Sequence, residues 1–126
     1  MMTPAIILVL LFLAITFIQS GYDKVTDWKG NVGWLKGHFA ATILKNQVPQ
    51  ALFVILVLEM LSGAFAVIGI IEILVNEGTQ FAFISGCLSC ITLLFLLLGQ
   101  RLAKDYDGAR TIAIYFIPAL LLVSWL

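Results

Sequence analysis

Four stretches of this chain are too long and too uniformly apolar to be anything but segments buried in lipid. They run from about Pro4 to Ser20, Pro49 to Ile73, Phe81 to Gly99 and Ala109 to Leu126. A bilayer core takes roughly 17 to 25 apolar residues per helical crossing, and all four stretches fit that window. Lipid offers the backbone no hydrogen bonds, so only helices and closed barrels cross it. Near-continuous Leu, Ile, Phe and Val lack the alternation of a barrel strand. The expected fold is therefore an all-α integral membrane four-helix bundle, with residues 1–126 forming a single membrane domain.

Composition agrees, since 62% of residues are hydrophobic and 11% are charged, where a soluble domain carries about a quarter. The formal net charge is zero, which argues against a nucleic-acid partner. The opening "MMTPAIILVLLFLAITFIQSG" has no basic leader region and no small-x-small cleavage pattern before Gly21. It reads as a retained first span, with Thr3 placed to cap it and Pro4 suited to its first turn.

The connections between spans differ in kind. Asn76, Glu77, Gly78 and Thr79 make a tight turn, whereas "RLAKDYDGAR" is a charged hinge that Gly108 breaks. Between spans one and two lies "QSGYDKVTDWKGNVGWLKGHF", rich in charge and tryptophan. There Val32, Leu35, Phe39 and Ile43 recur at helical spacing, with Lys36 and Lys45 able to snorkel. This predicts a short interfacial helix over about residues 31–45, with Trp28 and Trp34 at headgroup level.

Four crossings put the first and third loops on one face. Lys24, Lys29, Lys36, Lys45, Arg101, Lys104 and Arg110 all belong to that face, and no Lys or Arg to the other. The positive-inside rule then makes that face cytoplasmic and places both termini outside. Trp125 would anchor the far interface.

Glu59 carries the most chemical information. It lies ten residues beyond Pro49, about 15 Å into the span. An acid there should turn inward and find donors or a proton. Ser62, Gly63, Ala66 and Gly69 share its face and would admit a neighbouring helix closely. Thr16, Gln19 and Asp23 form a polar stripe on span one that is expected to lead toward it. Ser85, Ser89 and Thr92 offer a second stripe on span three, suited either to a polar path or to tight packing.

His38 is the only histidine, and without a second ligand nearby it makes a poor metal site. It could share a proton or ligand contact with Glu59, or simply sit at the interface. Cys87 and Cys90 have dithiol spacing but fall mid-span, far from water or a basic neighbour, which disfavours redox exchange. Arg101, Lys104 and Asp105 are expected on the same side as Asp23 and Lys24, within reach of cross-helix ion pairs.

These pieces together resemble the DoxX family of small four-span bacterial membrane proteins. The resemblance is carried by "SGYDKVTDWKG" and "LKGHF" after span one, "LEMLSGAFAVIGI" in span two and "GQRLAKDYDGA" before span four. It implies a four-helix bundle in the bacterial inner membrane, associated with redox or respiratory complexes that use quinone. The chain offers no haem ligand pair, nucleotide motif or iron–sulfur cysteine set. The expectation is thus an accessory subunit rather than an enzyme on its own, beside a membrane protein partner or further copies of itself. Its candidate quinone or lipid site comprises Glu59, Gln19, Asp23, Lys24, His38, Arg101, Lys104 and Asp105, with no catalytic residue and no metal. Two other readings remain open, a scaffold or assembly factor without a ligand and a small proton-coupled transporter or channel.

Overall fold

A computed structural model describes residues 3–40, 42, 46–76 and 78–126, and among them every regular element is helical. In chain order these are α1 (Thr3–Thr26), α2 (Trp28–His38), α3 (Val48–Asn76), α4 (Gln80–Leu102) and α5 (Tyr106–Trp125). All but α2 are long and apolar enough to cross a membrane. The protein is a multi-pass membrane bundle of four helices, with a short extra helix between the first two spans.

The helices outrun the apolar stretches because polar residues continue them. α1 carries on past Ser20 through Asp23 and Lys24 to Thr26, and the Lys24 ammonium donates to Ser20 Oγ at 2.7 Å, one turn back. Asp27 then leaves helical geometry at φ −136° and separates α1 from α2. Asn31 bridges this corner, its amide donating to the carbonyls of Asp27 and Asp23. α2 thus begins three residues earlier than the 31–45 expectation and stops at His38, where Phe39 and Ala40 close the last turn onto Leu35 and Gly37. Ile43 and Lys45, which the periodicity placed on that helix, lie outside the described residues.

The break between α4 and α5 also differs from expectation. Gly108 does not supply it, because Gly108 lies inside α5. The left-handed position is Lys104, at φ 59°. There the chain turns while Ala103, Lys104 and Asp105 return their N–H groups to the last carbonyls of α4.

α3 is the central helix, packed against α1 on one side and α4 on the other, and α5 packs on α4. α1 contributes Leu10, Leu13 and Phe17 to the core, all nearly inaccessible. Small residues set the close approaches: Gly63 abuts Ile18, Gly69 abuts the Ala82 backbone, and Gly86 abuts Leu122 and Val123. Leu8, Ile15, Phe53, Leu74, Leu94, Ile117 and other large apolar residues face outward, as lipid-facing positions must.

These contacts fix the relative heights. Gly63 beside Ile18 and Gly21 beside Met60 align Glu59 with the last two turns of α1. Ala82 beside Gly69 and Ser62 beside Thr92 align the same residue with the middle of α4. Glu59 therefore sits well inside the bundle, where the end of α1 brings charge in.

Candidate functional site around Glu59

Glu59 points inward, its side chain only 3% exposed. Its partner is Lys24, whose Nζ lies 2.8 Å from Glu59 Oε1, with the lysine side chain 16% exposed. The contact is ionic and lacks hydrogen-bond alignment: Oε1 has no hydrogen-bond partner, while the ammonium directs a bond to Ser20 Oγ. Lys24 reaches Glu59 because the core stripe of α1 (Leu10, Leu13, Phe17, Gly21) passes through Lys24 one turn later.

A seam of hydroxyls continues from Glu59 between α3 and α4. Ser62, Ser85, Ser89 and Thr92 are all fully buried. Ser85 Oγ donates to the Ser62 carbonyl at 2.8 Å, and Thr92 Oγ1 donates to the Leu88 carbonyl at 2.7 Å. Ser62 Oγ and Thr92 Oγ1 stand 3.4 Å apart. Ser89 Oγ is buried with no hydrogen-bond partner. The α4 polar stripe therefore both packs tightly and leaves one donor unused.

The polar stripe on α1 does not lead to this site. Gln19 and Asp23 are exposed and Thr16 half-buried, because each lies about 100° around the helix from Ser20, Lys24 or Phe17. Lys24 alone of the span-one candidates meets Glu59.

His38 belongs to a second cluster, at the charged end of the bundle. Its Nε2 lies 3.1 Å from Gln100 Oε1 and 3.8 Å from Asp105 Oδ2. The ring stacks on Trp34 and meets Phe39 edge-on, and Phe39 in turn lies over Gly99. This ties the end of α2 to the α4–α5 junction, remote from Glu59. Asp105 also accepts from Gly108 N at 3.0 Å, as the N-cap of α5. Arg101 and Lys104 are exposed, and Arg101 lies over the Tyr106 ring, 5.3 Å from its centre. The expected cross-helix pairs with Asp23 and Lys24 do not form, since Asp105 faces His38 and Lys24 is taken by Glu59.

The two roles of Asp105 can be separated by substitution. Asp105→Ala should cost about 0.5–2 kcal/mol through the lost cap, with faster amide exchange at Gly108. Asp105→Asn keeps a capping oxygen and should retain most of that protection. Equal exchange in the two variants would show that the cap contributes nothing.

Glu72 belongs to none of the polar stripes that the sequence displays. Its Oε1 accepts from Phe81 N at 3.0 Å, so an acid on α3 satisfies one of the open N–H groups in the first turn of α4. An acid one turn before a helix–helix turn is the signal that could have revealed it. Cys87 and Cys90 are free and half-buried on α4. Among the described residues, no group of His, Cys, Asp or Glu is arranged to hold a metal ion. Two open surface grooves adjoin the start of α3, lined by Gln47, Gln50, Ala51 and Val54 and by Lys36, Asn46, Pro49 and Gln50; neither reaches Glu59. No protein-family model, curated protein or solved structure matches the chain.

Proposed function

We propose that the protein is a small accessory subunit of a redox or respiratory membrane complex, taking up a quinone or lipid head group beside Glu59. The observation that carries this reading is a buried ion pair, Glu59 with Lys24, at the head of a seam in which Ser89 Oγ is buried without a hydrogen-bond partner. Buried polar groups are ordinarily satisfied, so a seam holding an unused hydroxyl beside a buried ion pair suits a polar guest. The donor set fits: the Lys24 ammonium and a serine hydroxyl can donate to a carbonyl or phosphate oxygen, and Glu59 can accept from a hydroxyl. A bound quinone would supply the electron-carrying chemistry, while Lys24 and Glu59 would orient its polar ring. The redox association and the bacterial inner membrane come from the resemblance to the DoxX family. The one-sided lysines and arginines support cytoplasmic first and third loops, with both termini outside.

Purification in a gentle detergent, followed by extraction of quinone and phospholipid per chain, tests the reading. Wild-type protein should retain one head group in near-stoichiometric amount. Glu59→Gln should retain about 10- to 150-fold less, as expected when a hydrogen bond to a charged group worth about 1.5–3 kcal/mol is lost. Retention that is absent in the wild type or unchanged in the variant rejects the site.

One observation favours a second reading, in which the chain is a scaffold without a ligand. Lys24 already neutralises Glu59 at 2.8 Å, so the pair can serve simply to hold α1 on α3. The transporter reading draws least support, because the hydroxyl seam ends where Gly69 abuts the Ala82 backbone.

A further inference from the structure

The displaced stripe on α1 raises its own problem. Gln19 is exposed, and its neighbour Ile18 lies against Gly63, the sixteenth of the 29 residues of α3. The amide is therefore held on the outer surface of the bundle at about the mid-height of its longest helix. Asp23 is also exposed, one turn nearer the charged end, about 6 Å along the axis. Neither side chain has a hydrogen bond or ion pair among the described residues. The Asp23 carbonyl, by contrast, is used by Thr26 and Asn31. The surroundings of Gln19 are apolar, since Leu8, Leu11, Ile15 and Ile18 continue the exposed surface of α1, whereas Asp23 lies toward Thr26, Asp27 and Asn31. A lone amide facing hydrocarbon is unfavourable, and such groups in membrane helices ordinarily face protein or water; an unpaired carboxylate one turn along adds a charge for a partner to meet.

We propose that the outer face of α1, with Gln19 at its centre and Asp23 one turn along, docks a transmembrane helix of a different protein. That helix presents an amide or hydroxyl opposite Gln19 and a lysine or arginine opposite Asp23. Charge decides the kind of occupant. Two copies of this chain related by a two-fold axis along the membrane normal could pair Gln19 with Gln19, but the same packing would bring the two Asp23 carboxylates together. Like charges so juxtaposed disfavour self-association, whereas a basic partner turns Asp23 into an attractive contact. Lys24 cannot serve, because it is turned inward to Glu59. The inference rests on the partner in the accessory-subunit reading, though not on that partner's redox character.

The test is photo-crosslinking of the full chain in its native membrane, with a photoreactive side chain at Ile15 on α1 and, separately, at Leu94 on α4. Ile15 should give an adduct to one membrane protein that carries a basic residue near the cytoplasmic end of a span, and Leu94 should not. Adding Gln19→Leu or Asp23→Asn should reduce that adduct by about 5- to 30-fold, as for loss of an interhelical polar contact. Both exposed sites should leave the accumulation and thermal stability of the isolated chain unchanged. Asp23→Lys should abolish the adduct, and the reciprocal acid in the partner's basic position should restore it. Adducts to lipid alone, adducts to a second copy, or an adduct indifferent to Asp23→Lys would overturn the proposal. A partner captured and rescued in this way but lacking any redox centre would overturn the respiratory reading and leave the docking face standing. A co-purifying redox partner unaffected by the α1 variants would do the reverse.

Discussion

Replacing Lys24 with methionine is expected to destabilise the bundle by about 3–5 kcal/mol, the usual loss when one partner of a buried ion pair is removed. The expectation follows from geometry more than from pair strength. Glu59 is almost wholly enclosed, Lys24 is the only cation within ion-pair distance of it among the described residues, and the carboxylate Oε1 has no hydrogen bond to fall back on. Once the ammonium is gone, the carboxylate must take up a proton, draw in water or pull α3 away from α4. Glu59→Met alone strands the lysine instead, but less severely, because the long stem of Lys24 is partly exposed and can swing toward the charged end. The double substitution Lys24→Met, Glu59→Met should be close to wild type or more stable, since it removes two desolvated charges and leaves two apolar chains of similar length. Reversible unfolding in mixed detergent micelles, followed by circular dichroism, gives the double-mutant cycle. Additive losses would mean that the pair is not coupled. A double variant that is stable but fails to retain quinone or lipid would favour the head-group reading over the scaffold reading.

Much of the architecture is legible in the chain because membrane helices must satisfy their own backbone. Pro49 to Ile73 and Phe81 to Gly99 need only length and apolarity to be recognised, and α3 and α4 contain them entirely. The inward face of α3 is equally legible, since Glu59, Ser62, Gly63, Ala66 and Gly69 are spaced to share one side, and all are buried. α1 is harder to read. Leu, Ile, Val and Phe occupy nearly every position from Ile6 to Ile18, so hydrophobicity does not distinguish a lipid-facing residue from a core one. Polarity was then the only visible stripe, and in α1 the Gln19–Asp23 stripe lies on the outside. Lys24 differs from Asp23 by one position and by the whole choice of face. The His38 cluster was hidden for another reason. Its partner Gln100 lies 62 residues away, and no local pattern links α2 to the end of α4. At Lys104 the chain places in left-handed geometry a residue type that rarely adopts it, so composition pointed to Gly108 instead.

The second large effect is expected at Gly69, where α3 meets the backbone of α4. A Cβ at this position would stand 2.8 Å from Ala82 N and 2.9 Å from Ala82 Cα. Both are backbone atoms, so no rotamer change can relieve the clash and the two helices must separate. Gly69→Ala should cost about 1–3 kcal/mol, the usual range for overpacking, despite the gain in helix propensity from replacing glycine. Gly69→Leu should go further and disrupt the α3–α4 interface, because Ser85 and Ser62, whose bond is 2.8 Å, lie on the same contact. The comparison that isolates this effect uses α2, where a Cβ at Gly33 or Gly37 meets nothing within 4 Å. Gly33→Ala and Gly37→Ala should therefore be neutral or stabilising, by up to about 1 kcal/mol. The same unfolding measurement ranks the four variants. If Gly69→Ala proves as harmless as Gly33→Ala, the helices are not in backbone contact there, and the hydroxyl seam cannot be as tightly closed as the Ser62, Ser85 and Thr92 geometry requires. If Gly69→Ala is costly and also abolishes head-group retention while Glu59→Gln leaves it intact, the site beside Glu59 is rejected and retention depends only on the α3–α4 packing.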